Sequence, residues 1–277
     1  MVTTLLGYVF FLIAAYALLI IGVDVHTAEQ LQQIIPVALR SYIHIPGFVF
    51  VMFGIMASMF ISYNFRDMIS GIKALYFVFI GNKIDFSVYL ESIKDIAQYT
   101  NTHDVESLEE YANQIKYPFL RDGLLLLVNG YKKDEVREIL NARIENEMQR
   151  EQGDVNFFKS CVAYAPGWGM LGTTIGLIQM FSAKIDAAGG FGPILNGLAV
   201  AFTTTLYGLF FMNFVFQPIV DKIKQRTEEE VLMKSMIVDG LCMIREKKHP
   251  IYIQDKLSSF MPGKRSLSLP KVAQLST

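Results

Sequence analysis

Four stretches of this chain carry no Asp, Glu, Lys or Arg: residues 1–23, 41–65, 160–183 and 187–220. Each can supply the roughly 20 apolar residues that take a helix through a hydrocarbon layer about 30 Å thick. The pattern predicts an all-α, four-transmembrane-helix integral membrane protein with a helical cytoplasmic subdomain between the second and third spans. In this reading residues 1–65 hold spans one and two, 66–159 the cytoplasmic helical domain, 160–220 spans three and four, and 221–277 a cytoplasmic C-terminal helix and tail. Composition agrees: of 277 residues 52% are hydrophobic and 18% charged, with mean hydropathy +0.34, against about 45–50% and 25% in soluble domains. That balance excludes disorder and argues against a plain soluble enzyme.

The first run, TLLGYVFFLIAAYALLIIGV, is too long for a removable signal peptide and has no basic residue ahead of it. The second span is expected over Ile45 to Tyr63, with Pro46 in its first turn, where a missing N–H costs nothing. The third runs from Ser160 to Ala183 and the fourth from Gly192 to Pro218. Of the 25 Lys and Arg residues, 23 fall in 66–159 and 221–277. By the excess of positive charge on cytoplasmic loops, both segments and both termini of this multi-pass protein lie inside.

Within 66–159, Val136, Leu140, Ile144 and Met148 recur at steps of four and predict an amphipathic helix. It should pack on the apolar run Leu124 to Val128, with Asn129-Gly130 as the turn between. The 12 basic and 16 acidic residues of this segment make either a solvated surface or a docking face for a charged partner. After the fourth span, Thr227 and Glu230 fit a capping box, unless the fourth helix continues through them. The next apolar stripe is Met233, Ile237, Leu241 and Ile244. The basic, Ser-rich tail beyond Pro262 is expected to be disordered and is given no function.

A net charge of -1 gives no reason to expect nucleic acid as a partner. Cys161 and Cys242 match no zinc or redox spacing, and the four histidines form no paired motif. There is no phosphate loop, dinucleotide fingerprint or nucleophile elbow. The sequence therefore predicts neither an enzyme, a cofactor nor a permanent metal.

Spans three and four differ from the bulky first span. Span three sets Gly169, Thr173 and Gly176 near one face, with Gly172 and Gly176 at GxxxG spacing; span four sets Gly197, Ala201, Thr205 and Gly208 at steps of four, four and three. Small faces of this kind let membrane helices approach closely. Thr173, Thr174, Thr203, Thr204 and Thr205 add a concentration of hydroxyls. Singly, each can simply bond its own helix carbonyl four residues back. Together they suit a hard cation such as sodium, or an ordered water carrying a proton. None of the four spans contains a titratable carboxylate or base, so an ion path here needs an acid from another subunit. Pro166 and Pro218 are either helix-end punctuation or hinges.

The run YAPGWGMLGTTIGLIQMF, then GPILNGLAVAFTTTLYGLFFMNFVFQPIVDKI and EEEVLMKSMIVDG, resembles the MotA/PomA subunits of bacterial flagellar stators, within the wider MotA/TolQ/ExbB proton channel family. The resemblance implies an ion-driven motor of the bacterial plasma (inner) membrane in which five copies, a homopentamer, surround two copies of a MotB/PomB-type partner whose single membrane helix carries the ion-binding Asp. It implies that Thr173 matches the threonine of span three and that Thr204 and Thr205 match the pair in span four, with Thr174 beside them in the ion path. Pro166 and Pro218 match the family's two functional prolines, and Tyr207 and Gly208 complete the motif. The Thr204–Thr205 pair resembles sodium-driven members, which favours transient Na+ near Thr173, Thr204 and Thr205 over H+. Two departures stand out. The loop from Asp24 to His44 is longer than usual, and its IPVALRSYIH run has the pattern of an amphipathic outer helix. The basic position that flagellar members use toward the rotor protein FliG is Asn101, Thr102 or His103 here, with Glu109 and Glu110 kept as acidic candidates. Rival expectations are an ExbB/TolQ-like or other non-flagellar motor energising an envelope process, and a membrane scaffold without ion conduction.

Overall fold

The computed structural model describes residues 9, 42–80, 85–102, 105–182 and 191–261. The predicted first span, most of the loop 24–44, His103, the loop 184–186 and the tail beyond Pro262 lie outside the described residues. Every described element is helical: α1 (Ile45–Ser62), α2 (Phe65–Ile80), α3 (Phe86–Thr102), α4 (Val105–Gln114), α5 (Pro118–Val128), α6 (Lys133–Ser182), α7 (Gly192–Phe210), a π-helical turn (Phe211–Phe216), α8 (Gln217–Arg245) and α9 (Pro250–Ser258). Three continuous helical stretches are long and apolar enough to cross a membrane: Ile45–Ser62, Lys133–Ser182 and Gly192–Arg245. They carry the predicted second, third and fourth spans.

The chain divides into two compact units. One comprises residues 1–81 and 154–223, the other 82–153 and 224–277. The division places α2 with the membrane unit and the C-terminal segment with the polar one, so these limits differ from the sequence boundaries at 66, 159 and 221.

The polar unit is held by ordinary hydrophobic burial. Ile93 and Ile96 of α3, Leu120 and Leu124 of α5, Val136 and Leu140 of α6, Met236, Ile237 and Leu241 of α8, and Ile253 and Leu257 of α9 are fully buried. Each such side chain contributes about 1.5–3 kcal/mol relative to its exposed state. The Asn129-Gly130 turn is present, with Gly130 at φ +84°, a left-handed conformation that glycine enters without penalty. Met148 departs from the predicted stripe and is 42% exposed. The physical reason is drift: each step of four residues turns about 40° past a full circle, so three steps from Val136 carry Met148 off the buried face.

Two further expectations change. The predicted amphipathic helix and the third span are one 50-residue helix, α6. Thr227 and Glu230 lie inside α8, so they cap no helix start; the fourth span's helical path runs on through them.

In the membrane unit, Val51, Ile55 and Met59 of α1 pack with Phe158, Cys161 and Ala165 of α6 and with Ile219, Val220 and Ile223 of α8. Burial against lipid-like surroundings supplies little net drive, so close contact and internal hydrogen bonds decide the packing. Helix α1 starts with Pro46 in its first turn, and the His44 imidazole Nδ1 accepts the Gly47 N–H at 3.0 Å as its N-cap. A ladder of side-chain bonds then ties α1 to α6. Trp168 Nε1 donates to Ser58 Oγ at 2.9 Å, the Ser62 and Tyr164 hydroxyls share a bond at 2.9 Å, and Tyr63 and Ser160 share one at 2.8 Å.

Candidate functional site

Helices α6 and α7 run antiparallel and touch backbone to backbone at two levels. A Cβ added to Gly176 would lie 2.6 Å from the Gly197 carbonyl oxygen and 2.6 Å from the Ala201 nitrogen. About two turns toward the other end, a Cβ on Gly208 would lie 2.7 Å from the Ala165 oxygen, and one on Gly169 would lie 3.1 Å from the Thr204 oxygen. Only residues without a side chain allow this approach, which accounts for the small-residue faces of both spans.

The seam brings some of the predicted threonines together and separates others. Thr173 on α6 and Thr205 on α7 meet hydroxyl to hydroxyl. Both hydroxyls also lie 3.1 Å from the Ala201 carbonyl oxygen, and that of Thr173 lies 3.0 Å from the Gly169 carbonyl oxygen; with one proton each, the two hydroxyls donate to two of these acceptors at a time. Both residues are half-buried. Thr204 is only 1% exposed and bonds the Val200 carbonyl at 2.9 Å. It fills the space over Gly172, where an added Cβ would come within 2.5 Å of its own Cβ. Thr203 is buried beside Gly47 and bonds the Ala199 carbonyl at 2.7 Å. Thr174 is exposed and bonds back to Met170 O at 3.1 Å. Every threonine hydroxyl lies within reach of a carbonyl of its own helix, but the Thr173–Thr205 and Thr173–Ala201 contacts cross between helices, which local bonding does not require.

Three acceptor oxygens thus converge at one half-buried point on the seam: two hydroxyls and one carbonyl. Hydroxyl and carbonyl oxygens are the ligands a hard cation uses when it sheds water. No Asp, Glu, Lys or Arg occurs in α7 or in α6 beyond Lys159, so this point has no charge of its own.

The other predicted residues frame the seam. The Tyr207 hydroxyl accepts the His44 backbone N–H at 2.7 Å and donates to the Tyr42 carbonyl at 2.6 Å, tying α7 to the start of α1. Its ring meets Phe48 edge-on at 5.8 Å. Pro166 sits inside α6 without ending it. Pro218 follows the π-helical turn, in which the Gln217 N–H reaches back five residues to Met212 O. Proline has no N–H and its ring crowds the carbonyl four residues back, and a widened turn relieves both. Asn213 in that turn donates its side-chain amide to Leu209 O at 2.9 Å.

Glu109 and Glu110 are exposed on α4, beside the buried Leu108 and Ala112. In the polar unit Glu147, Glu151 and Glu230 gather within 4.8 Å of one another. Lys234 answers them, 2.8 Å from Glu147 and 3.7 Å from Glu230.

Sequence reasoning missed the Trp168–Gly54 notch. A Cβ on Gly54 would fall 2.2 Å from the indole, so the chain's single Trp rests on bare backbone of α1 while its N–H bonds Ser58. The signal was a lone glycine among the large residues of VFVMFGIMASMF.

Residues 111–236 match the model of the MotA/TolQ/ExbB proton channel family. The chain is 36% identical to Chemotaxis protein PomA of Vibrio alginolyticus over 164 residues, 59% of this chain and 62% of that one. It is 28% identical to Motility protein A of Aquifex aeolicus over 256 residues, 90% and 94% of the two chains. In fold it is similar to a chain in the structure of C. jejuni MotAB, with TM-score 0.79, 21% identity and 98% of each chain covered. The family match covers α5, α6, α7 and the π-helical turn, with parts of α4 and α8.

Proposed function

We propose that this chain is a MotA/PomA-type stator subunit of a bacterial flagellar motor, working as a homopentamer around a MotB/PomB-type partner and passing Na+ in preference to H+. The observation that carries the reading is the convergence of Thr173, Thr205 and the Ala201 carbonyl on a seam without a titratable group. Names of relatives, Chemotaxis protein PomA and Motility protein A, and the fold shared with MotAB support it.

The chemistry follows from the missing charge. An ion arriving at membrane depth needs both ligands and a counter-charge. The seam offers the ligands, and the partner's Asp offers the charge. Binding neutralises that carboxylate and removes the cost of holding a charge in hydrocarbon, so neutral and ionised states favour different positions of the pentamer around the partner. The membrane potential supplies about 2.3 kcal/mol per charge per 100 mV. That energy does work only if the two states differ in preferred position. The preference for sodium rests on hydroxyl ligands at Thr173 and Thr205, with the buried Thr204 setting how closely α7 approaches Gly172.

The test is motility or ion flux of the co-expressed complex in sodium-containing and sodium-free buffer. Loss of output without sodium is the expected result, and undiminished output overturns the choice of ion. A second reading, an ExbB/TolQ-like motor with another load, is favoured by the absence of Lys and Arg at 101–103. Binding of FliG by the full complex supports the flagellar load, and its absence supports the other.

A further inference from the structure

One imidazole and one phenol hold the start of α1. His44 is the N-cap, and its Nδ1 accepts the Gly47 N–H at 3.0 Å. The His44 backbone N–H donates to the Tyr207 hydroxyl of α7 at 2.7 Å, and that hydroxyl donates to the Tyr42 carbonyl at 2.6 Å. Gly47 is buried, and a Cβ there would lie 2.9 Å from the imidazole Nδ1 and 3.5 Å from the Thr203 hydroxyl oxygen of α7. The ring therefore lies on bare backbone that is itself pressed against α7. One residue both caps α1 and keeps its first turn beside Tyr207 and Thr203.

The choice of residue makes this cap sensitive to acid. Ser, Thr, Asp and Asn are the usual N-caps, and each accepts through an oxygen. Imidazole instead changes charge between about pH 5 and about pH 8. A ring nitrogen accepts only in the neutral form, because in the imidazolium both nitrogens carry protons. Protonation sets an N–H against the buried Gly47 N–H, orphans that donor and places a positive charge at the positive end of the helix dipole. The described surroundings offer no counter-charge. Helices α1 and α7, and α6 beyond Lys159, hold no Asp, Glu, Lys or Arg. The titratable groups that face His44 are the phenols of Tyr207 and Tyr42, a class that is ordinarily neutral in this range. His249 caps α9 in the same way, accepting the Ile251 N–H at 3.3 Å. His44 in addition ties its helix to a second one through Tyr207.

We propose that His44 is an acid-sensitive latch between α1 and α7: the neutral ring holds the Gly47 N–H and the first turn of α1 against Tyr207, and the imidazolium releases them. By the distribution of Lys and Arg, α1 starts on the side away from the basic segments, so the latch answers to the acidity of the outer solution. Acid there loosens the hold on the helix that carries Thr205. The latch depends on contacts within the chain and not on ion conduction, so it stands or falls separately from the proposed function.

The full chain, with its partner, is placed in nanodiscs, and amide hydrogen exchange is followed at about pH 8 and about pH 5.5, on either side of the imidazole range, with rates corrected for the pH dependence of exchange itself. Protection of the Gly47 amide should fall about tenfold in the parent at the lower pH, the equilibrium weight of one hydrogen bond. Protection at Gly54, in the middle of α1, should stay constant. His44→Asn, which caps without titrating, should show no fall, and His249→Asn should keep the fall of the parent. Unchanged protection of Gly47 in the parent overturns the proposal without any variant. An equal fall in His44→Asn overturns it too, because another group is then titrating. A fall at Gly47 and Gly54 alike is a general loosening of the unit and likewise overturns the latch. Nitrogen chemical shifts of labelled His44 should place the proton on Nε2 at about pH 8. A proton on Nδ1 at that pH overturns the cap on which the latch is built.

Discussion

Thr173 and Thr205 meet hydroxyl to hydroxyl across the α6–α7 seam, and both lie 3.1 Å from the carbonyl oxygen of Ala201. The contact sits between two levels of backbone contact, Gly176 with Gly197 and Gly169 with Gly208. Close packing therefore places the oxygens, and neither hydroxyl is needed to hold the helices together.

Thr173→Val or Thr205→Val keeps the shape and removes an oxygen. Each should lower ion flux of the complex by about tenfold or more, the effect of losing roughly 1.4 kcal/mol of ligand interaction, with assembly preserved. Thr174→Val, exposed and bonded only to its own turn, should leave flux unchanged. Equal effects at 173 and 174 would contradict the assignment.

Gly176→Ala pushes a methyl into the backbone of α7. Neither Gly197 nor Ala201 can yield by rotating a side chain, so the helices must part. Overpacking of this kind costs about 1–3 kcal/mol, and the purified chain in detergent should melt earlier. Gly192→Ala, where a Cβ meets nothing within 4 Å, is the control and should melt with the parent.

Gly54→Ala displaces the indole of Trp168 and breaks its bond to Ser58. Because the chain has a single Trp, its emission reports the change directly. The expected result is a shifted emission maximum and lower thermal stability. Ser58→Ala should shift the emission less, since the indole keeps its seat.

The pH dependence of the polar unit has a definite sign at Glu151. Burial raises its carboxyl above the usual range, Glu230 and Glu147 add to the rise, and the Thr227 hydroxyl and Lys234 oppose it. A carboxyl with a raised folded-state pKa favours folding below its unfolded value, and that contribution is lost as pH rises through the folded value. Glu151→Gln removes the titration. In thermal melts from about pH 5 to about pH 8, the variant should show a weaker dependence on pH and be no less stable at the alkaline end. A variant less stable than the parent only at the alkaline end would contradict this.

Helix positions were legible in the sequence where solvent changes. The predicted second span, Ile45 to Tyr63, and α1, Ile45–Ser62, agree closely because charges stop where hydrocarbon starts. The same rule hid the continuity of α6. The charges of DEVREILNARIENEMQRE change the surroundings and leave the backbone helical, so one helix read as two. The small-residue faces were legible because a glycine repeat has few other uses in a membrane helix. The division of labour among Thr203, Thr204 and Thr205 was not. Consecutive helical residues point about 100° apart, so only one of the three can face Thr173, and the rotation of α7 that chooses Thr205 is set by contacts with Gly172 and Gly47 from other helices. Trp168 was equally opaque, since its seat lies on Gly54, more than a hundred residues earlier in the chain.

Ion flux through reconstituted vesicles, compared for the chain alone, the chain with its partner, and the chain with a partner whose membrane carboxylate is replaced by an amide, tests the central claim most directly. Flux should appear only with the carboxylate-bearing partner and fall when Thr173 and Thr205 are both changed to Val. Conduction by the chain alone at the rate of the full complex would contradict the account.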